Sequence, residues 1–320
     1  MVAVNTCLPD ERDRYSEATA ARLLSVSDRI PNLSANGIAV QVLSLNPCNP
    51  SPEGCRGAND RLHGIISQNP TRFAAWASVP LQNPTFAAEE LKRCVTELSF
   101  LGALFNNHFR GEHLDDQKFW PIFAAAEALD VPLYIHPAFP TEDSIIRRFR
   151  GDYPTNVAHS LGAFGWGWHS DTGLAILRLY FSGLFDKFPK LKIIIGHMGE
   201  MLPYQMDRII GNAAPAIEAA GIKRSLRQVL DENIWITTSG MFSLDPMACL
   251  LRAIKRDRIM MSIDYPFSAN EQGRKFIENL EQSGMLTGTE LEDFAYRNAE
   301  KLLGLRADAE MTGTKLSIQK

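Results

Sequence analysis

Hydrophobic residues along the chain form short continuous runs that alternate with longer amphipathic stretches. The runs are rich in Val, Ile and Leu, which is typical of parallel strands buried on both faces. They predict seven strands, at residues 38–46, 72–81, 101–107, 131–139, 191–199, 234–240 and 258–267. The stretches between them, such as residues 87–98 and 119–130, carry apolar residues at helical spacing.

Strand and helix alternating over a whole chain predict a parallel sheet with helices outside it. A closed (β/α)8 TIM barrel of the α/β class needs eight strands, and its length suits a chain of 320 residues. The remaining strand has one candidate, the shortened run "MVAVN" at residues 1–5, with a helix over residues 15–30 leading to the second strand. A doubly wound open sheet is the alternative, but no GxGxxG or GxxxxGKS loop supports it.

The pattern indicates a single barrel domain over residues 1–305, followed by a polar tail at residues 306–320. No linker rich in Pro, Gly or Ser divides the chain. The stretch 141–171 is long for a loop between a barrel strand and its helix. Such a length favours a lid over an active site.

Composition narrows the possible partners. The net charge of −4 and a pI near 6.0 give no basic footprint for nucleic acid or an anionic membrane. No apolar run reaches the roughly 18 residues of a membrane span. The five cysteines are scattered without a CxxC pair, so we expect reduced thiols in a cytoplasmic protein, without a disulfide framework or zinc knuckle.

Polar residues collect where the predicted strands end. In a barrel, the carboxyl ends of the strands converge on one mouth, and catalytic groups lie there. The strand-end residues are Asn46, Asn106, Asn107, His136, His197, Ser239 and Asp264. The sequence therefore predicts a polar site at one end of the barrel.

His136, His197 and Asp264 are the strongest candidates within that set. His136 precedes Pro137, which fixes the chain just beyond the strand. His197 lies between Gly196 and Gly199, and Glu200 follows three positions on, where a carboxylate can fix the imidazole tautomer and raise its basicity. Two histidines and one aspartate from different strands also match the ligands of a catalytic divalent metal. A core histidine bonded to a carbonyl, or a helix start with Glu in its first turn, is the alternative for each histidine.

Other side chains are more ambiguous. Arg208, one helix after His197, can pair with an anionic substrate or form a surface ion pair. Asn106, at a strand end, is a further candidate for substrate binding. Trp166 is another, because an aromatic-rich lid can cover a flat ring. His159, His169 and Trp168 belong to the same lid and could equally pack on the barrel rim. We expect His63, His108 and His113 to face solvent.

Several longer stretches resemble the amidohydrolase superfamily, specifically its metal-dependent nonoxidative decarboxylases of the γ-resorcylate, 2,3-dihydroxybenzoate and salicylate type. The matching stretches are "LDVPLYIHP", "SGLFDKFPKLKIIIGHMGEMLPYQMDRI", "ENIWITTSGMF", "DRIMMSIDYPF" and "RNAEKLLGL". The similarity extends from about the second strand to residue 305. It implies a (β/α)8 barrel that binds one divalent ion, often Zn²⁺ or Mn²⁺, and commonly forms homodimers or homotetramers.

The resemblance also implies roles for individual residues. His136 and Asp264 resemble metal ligands, His197 and Glu200 an active-site pair, and Arg208 a group that binds the substrate carboxylate. In this family an ortho-hydroxy carboxylate chelates the metal, the aspartate protonates the ring carbon, and CO₂ leaves. The metal stabilises the phenolate while aromaticity is briefly lost.

The first strand departs from the family pattern. Relatives have Glu-Glu-His, Glu-x-Ala or His-x-His there, and the first of these residues binds the metal. This chain has Asn5, Thr6 and Cys7 instead. Asn is a poor neutral ligand, whereas Cys7 can bind a soft ion as thiolate. Either the usual first strand is missing from this chain, or the metal site is degenerate.

Three functions fit these observations. The leading one is a carboxy-lyase acting on a small phenolic or related aromatic acid. A metal-dependent hydrolase of the same superfamily is the second, although the N-terminal HxH and middle-strand lysine of such hydrolases are not visible. The third is a catalytically silent barrel that binds a small molecule or another chain.

Overall fold

The computed structural model describes residues 2–4, 29–45 and 50–306, with the backbone alone for residues 2–4. Predictions for Asn5, Cys7, Asn46, most of the helix at 15–30 and all but the first residue of the tail at 306–320 lie outside the described residues. Among the described residues, no helix is long and apolar enough to cross a membrane.

Within the described ranges, eight parallel strands form the centre of the fold. They are β1 (Val2–Val4), β2 (Val40–Leu43), β3 (Phe73–Ala75), β4 (Ala103–Asn106), β7 (Pro132–His136), β8 (Lys192–Ile195), β9 (Ile234–Thr237) and β10 (Ile259–Met260). Their order is β1-β2-β3, then β4-β7-β8-β9-β10, and a parallel bridge between Ala77 and Ala103 links the two groups. The strand predicted at residues 1–5 is therefore present and pairs with β2.

Helices connect the strands in the expected alternation, and α5, α8, α9 and α14 are single turns. The helices are α1 (Arg29–Ala35), α2 (Pro52–Gln68), α3 (Pro84–Thr96), α4 (Trp120–Ala128), α5 (Glu142–Ser144), α6 (Thr155–Gly162), α7 (Gly167–Phe181), α8 (Leu184–Lys187), α9 (His197–Glu200), α10 (Leu202–Ala219), α11 (Leu226–Asn233), α12 (Leu244–Ala253), α13 (Asn270–Ser283), α14 (Thr289–Glu292) and α15 (Asn298–Leu303). Short 3₁₀ segments occur at Gln117–Phe119 and Arg256–Arg258, and π-helical turns at Ile145–Phe149 and Asp293–Arg297.

Alternate strand residues divide the core into two layers. On β8, Ile193 and Ile195 pack outward against the helices, whereas Ile194 packs inward. The inward cluster draws one or more residues from each of seven strands, namely Val40, Val42, Ala74, Leu104, Tyr134, Ile194, Trp235 and Met260. Residues of α15 join this cluster and close the barrel at its amino-terminal end. Both faces of β2, β3, β4, β7, β8, β9 and β10 are largely buried, which explains why these strands lack a polar alternation.

The strands are shorter than their hydrophobic runs. The run at 258–267, for example, contributes only Ile259–Met260 to the sheet. Beyond β9 and β10 the chain stays buried but leaves the ladder, where Ser239 and Asp264 adopt positive φ values of 43° and 67°. Buried loops and buried strands have the same apolar composition, so hydrophobicity alone overestimates strand length.

A hairpin after β4 corrects one expectation. Strands β5 (His108–Phe109) and β6 (Glu112–His113) pair antiparallel at a position where the sequence indicated a polar loop. His108 is only 8% exposed and His113 is half-buried, so neither faces solvent as expected. The hairpin folds back so that both imidazoles lie within 4 Å of the Asp171 carboxylate on α7.

Candidate active site

A cavity of about 850 Å³ opens at the carboxyl ends of the strands. It brings together side chains at or just beyond the ends of four different strands: His136, His197, Ser239 and Asp264. Polar residues that the sequence placed at the strand ends therefore line a cavity. Asn106 lies opposite His136 in the ladder and is buried, but it is not among the described residues that line this cavity.

His136 is the last residue of β7 and is held by the residue that follows it. Its Nδ1 lies 2.7 Å from the carbonyl oxygen of Pro137, so Nδ1 carries the proton and donates to that oxygen. Burial, with help from the neighbouring His197, lowers the pKa of His136 to about 4. The ring is therefore neutral at pH 7, and its Nε2 keeps a free lone pair, as a metal ligand requires.

His197 and Glu200 lie on an unusual backbone turn directly after β8. His197, Met198, Gly199, Glu200 and Met201 all have positive φ, between 44° and 93°. A left-handed run that includes four residues other than glycine is costly, and such strain persists where surrounding structure enforces it. The turn folds the Glu200 side chain back onto His197, whose Nδ1 lies 2.6 Å from Glu200 Oε1.

Glu200 also binds a second histidine. Its Oε2 lies 2.8 Å from Nδ1 of His169, and the carboxylate is fully buried. Burial alone would raise the pKa of Glu200, but the charge of His197 and the hydrogen bonds from both histidines outweigh it and lower that pKa. Burial would lower the pKa of His197, yet Glu200 and the more distant Asp264 raise it. We call His169, Glu200 and His197 the Glu200 triad.

The Glu200 triad has the composition of a metal site, since its ligand-type atoms lie within 4.8 Å of one another. Both carboxylate oxygens, however, already accept hydrogen bonds from imidazole N–H groups. A metal ion would have to replace those short bonds. The geometry is that of a buried hydrogen-bonded relay, which leaves Nε2 of His197 as the free nitrogen of that ring.

Asp264 follows β10 and lines the same cavity. Its backbone has a φ of 67°, which Asp tolerates better than most residues, and its carbonyl accepts hydrogen bonds from the amides of Phe267 and Ser268. Gly240 lies beside it, because a Cβ there would sit 3.6 Å from Asp264 Oδ2 and 2.8 Å from Ser268 Oγ. The backbone of Asp264 is thus held by a tight turn, and Gly240 leaves room for its carboxylate.

A buried hydroxyl network supports the floor of the cavity. The Tyr134 hydroxyl lies 2.8 Å from Thr237 Oγ1 and 2.9 Å from Ser239 Oγ. Burial raises the pKa of Tyr134, so the phenol stays protonated. The network crosses from β7 to β9 next to Gly196 and fixes Ser239, which lines the cavity.

The lid contributes aromatic side chains to the cavity wall, but not the tryptophan that the sequence pointed to. Trp168 lines the cavity, with its ring centroid 5.1 Å from that of Phe139 and 6.5 Å from that of His136. Trp166, two residues earlier, is 54% exposed and is not among the described lining residues. Sequence alone does not show which of the two tryptophans faces the cavity, since they lie about half a helical turn apart.

Arg208 lies on α10 with an exposed side chain, and it too is absent from the described lining residues. The structure therefore brings together His136, His197, Glu200 and Asp264, and leaves Arg208 and Trp166 at the surface of this chain. For His169 and Trp168 the sequence left open whether they cover a substrate or pack on the barrel rim. Both line the cavity. His159 also lines the cavity from α6.

Comparison with known proteins identifies the family. The model of the family described as Amidohydrolase matches residues 34–305. The chain belongs to the amidohydrolase family. This amidohydrolase is 48% identical to a protein named decarboxylase orsB from Emericella nidulans over 296 residues, covering 91% of this chain and 89% of the relative. It is 38% identical to a γ-resorcylate decarboxylase of Polaromonas, covering 81% and 82% of the two chains.

Solved structures give the same fold. A 2,6-dihydroxybenzoate decarboxylase complexed with 2,6-dihydroxybenzoate superposes with a TM-score of 0.84 at 33% identity, covering 94% of this amidohydrolase and 98% of that chain. A dihydroxybenzoic acid decarboxylase of Polaromonas with bound manganese and 2-nitroresorcinol also gives 0.84 at 33% identity, covering 94% and 96%. The TIM-barrel prediction is confirmed.

Proposed function

We propose that the protein is a nonoxidative decarboxylase, a carboxy-lyase, of a small aromatic hydroxy acid. The observation that carries the proposal is the convergence of His136, Asp264 and the His197–Glu200 pair on one cavity beside an aromatic wall. Relatives with this fold are named as decarboxylases of dihydroxybenzoates. A neutral imidazole, a carboxylate and a buried acid–base pair are the groups that such chemistry requires.

We propose that His136 and Asp264 are ligands of a divalent metal ion, Mn²⁺ or Zn²⁺. They fit that role because His136 is neutral with Nδ1 engaged by Pro137, and because Asp264 supplies a carboxylate to the same cavity. Imidazole and carboxylate donors suit either ion. When bound, the ion would stabilise negative charge on the carboxylate and phenolic oxygens of the substrate. Asn5 and Cys7, outside the described residues, stay the predicted first-strand ligands.

We assign proton handling near the phenolic oxygen to His197. Its Nδ1 is committed to Glu200, so Nε2 is the nitrogen that can meet the substrate. The raised pKa of His197 makes Nε2 a better base, which takes the phenolic proton and then donates it in a hydrogen bond to the phenolate oxygen. Glu200 keeps that ring oriented and stabilises its charge.

Asp264 is the proposed proton donor to the ring carbon that bears the carboxylate. A C–H bond forms there, and the C–C bond to the carboxylate then breaks, with its electron pair returning to the ring as CO₂ leaves. The flat ring packs against Trp168 during these steps. Asn106, Trp166 and Arg208 stay as predicted substrate contacts, without a described contact to the cavity.

We also propose a cytoplasmic homo-oligomer, a dimer or tetramer. Several large apolar side chains of the lid and of α10 are exposed on this chain, including Phe164 at 63% and Tyr204 at 80%. Where such side chains form a contiguous patch, they mark an interface between chains. Sedimentation of the purified protein measures the oligomeric state.

The function is tested by incubating the purified, Mn²⁺-supplemented enzyme with a panel of hydroxybenzoates, beginning with 2,6-dihydroxybenzoate. We expect stoichiometric release of CO₂ and the corresponding phenol from an acid with a hydroxyl ortho to the carboxylate. A benzoate without that hydroxyl is the matched negative control. Binding of these acids without CO₂ release would instead indicate the silent binding barrel.

Metal content gives an independent prediction. Wild-type protein dialysed against metal-free buffer should retain about one Mn²⁺ or Zn²⁺ per chain, and His136→Ala should lower metal affinity by at least roughly 10-fold because it removes a ligand. Elemental analysis by mass spectrometry measures this. His63→Ala, on α2 and outside the cavity lining, is the control. Metal retained in His136→Ala would contradict the ligand assignment.

A further inference from the structure

We propose that His169 is a positioning residue, which acts through Glu200 to hold His197 in the orientation and tautomer that the reaction uses. The inference rests on the proposed decarboxylase function, and it adds a residue from the lid to the machinery at the ends of the strands. It is carried by the hydrogen bonds of His169, by the complete burial of Glu200 and by the way α7 packs against the turn His197–Glu200.

The hydrogen bonds around His169 fix where its proton lies. Trp168 Nε1 carries a hydrogen and lies 3.0 Å from His169 Nε2, so Nε2 is the acceptor. The proton of a neutral His169 must then be on Nδ1, which donates to Glu200 Oε2 at 2.8 Å. The carbonyl of Phe164 also lies 3.2 Å from Nε2, and it receives no hydrogen bond from the ring in this tautomer.

This arrangement leaves Glu200 with one N–H donor on each carboxylate oxygen. His197 Nδ1 occupies Oε1 and His169 Nδ1 occupies Oε2, with the two ring centroids 4.5 Å apart. A carboxylate held at both oxygens cannot rotate, and it presents only an acceptor to His197. His197 must therefore keep its proton on Nδ1 in the neutral form, so that Nε2 faces the cavity as a lone pair that can take a proton.

Helix α7 is packed closely enough to deliver His169 to this position. Gly173 lies one turn after His169, and a Cβ at Gly173 would approach the carbonyl oxygen of Glu200 to 2.5 Å. That contact is with backbone, which cannot move aside as a flexible side chain can. Helix α7 thus supports the left-handed turn at two points. Gly173 packs against the backbone carbonyl of Glu200, and His169 binds the Glu200 side chain.

Removal of His169 has a specific consequence for the buried carboxylate. Glu200 Oε2 would lose its donor, and a buried acceptor without a partner is costly. The carboxylate would then rotate toward other donors and release His197 from a single orientation. Since displacement of a reacting group by about 1 Å can cost 100-fold in rate, we expect the loss in kcat and little change in KM.

The test compares His169→Ala with His169→Asn, whose amide nitrogen lies close to the position of the lost Nδ1. With 2,6-dihydroxybenzoate, or the panel acid that is turned over fastest, we expect kcat of His169→Ala to fall roughly 10- to 100-fold. KM should change less than about twofold, and His169→Asn should recover most of the activity because it can still donate to Glu200. His63→Ala is the control, and thermal unfolding of each variant shows that it is folded.

Nitrogen-15 NMR of protein labelled at its seven histidines reads the tautomers without any turnover. We expect protonated Nδ1 signals for His169 and His197 in the neutral wild type, and a shifted His197 signal in His169→Ala that returns in His169→Asn. An unmoved His197 signal together with an unchanged kcat would overturn the inference. Metal lost from His169→Ala but not from His169→Asn would also overturn it, because it would make the Glu200 triad a metal site. If the wild type releases no CO₂ from any acid, the proposed function fails while the NMR result still decides the role of His169.

Discussion

Replacement of Asp264 by Asn should abolish most of the decarboxylation while leaving the fold intact. Asn has nearly the same shape and also tolerates positive φ, so the turn at 67° and the hydrogen bonds to the amides of Phe267 and Ser268 can persist. The amide, however, has no acidic proton to give to the ring carbon. We expect kcat to fall on the order of 10³-fold, the range in which a positioned general acid contributes.

Steady-state CO₂ release, with circular dichroism as a check on folding, measures this effect. The matched control is Asp257→Asn. It makes the same change at an exposed aspartate just before the first residue of β10. Metal content of Asp264→Asn separates the two proposed roles. Full metal occupancy with lost activity favours proton donation, whereas lost metal favours ligation. An Asp264→Asn enzyme with wild-type kcat would exclude both.

The barrel and the core of the site could be predicted because they depend on local sequence signals. Continuous apolar runs mark strands buried on both faces, and a polar residue directly after such a run marks the carboxyl end of a strand. His136, His197 and Asp264 carry that signal, and they meet in one cavity. The run at residues 1–5 is equally readable, although β1 has only three residues.

The lid could not be predicted in this way, because its side chains are placed by contacts far away in sequence. Whether Trp166 or Trp168 faces the ring depends on the rotation of α7, and that rotation depends on Gly173 meeting the carbonyl of Glu200. His169 is separated from Glu200 by 31 positions. No periodicity links them, so pattern alone left His169 undecided.

The hairpin after β4 shows the same limit. A polar stretch with two histidines is typical of a solvated loop, yet His108 is buried because Asp171 on α7 and Asn107 on the strand end surround it. Asn107 itself bridges the Asp171 carboxylate and the amide of Ala138. Polar residues that satisfy one another across elements are buried at little cost, and composition does not reveal which ones do so.

Glu200→Gln is expected to lower both activity and stability, for a reason that follows from proton counting. In the wild type, both imidazoles donate from Nδ1 to one carboxylate. The glutamine amide can accept at only one atom, and its NH₂ group would face an N–H of the other histidine. Either His197 moves its proton to Nε2, or His169 does so and loses the hydrogen bond from Trp168. In both cases the relay no longer presents His197 correctly.

We expect kcat of Glu200→Gln to fall by about 10²-fold, and the free energy of unfolding to fall by about 3 kcal/mol, as when one partner of a buried pair is removed. The stability difference depends on pH. Glu200 has a lowered pKa in the fold, so its contribution is complete above the ordinary value of 4.5 and is lost as pH falls through the folded pKa. His197 has a raised pKa, so its contribution is complete below 6.5 and is lost as pH rises through the folded pKa.

The stability gap between wild type and Glu200→Gln should therefore be largest between pH 4.5 and 6.5 and should narrow on either side. Urea unfolding at a series of pH values measures it. Glu218→Gln, the same change at an exposed position of α10, is the control and should show no such maximum. A gap that keeps widening above the folded pKa of His197 would mean that the ion pair is not its source. The same proton arrangement orients His197 for catalysis. That outcome would therefore also contradict the expected loss of kcat in Glu200→Gln.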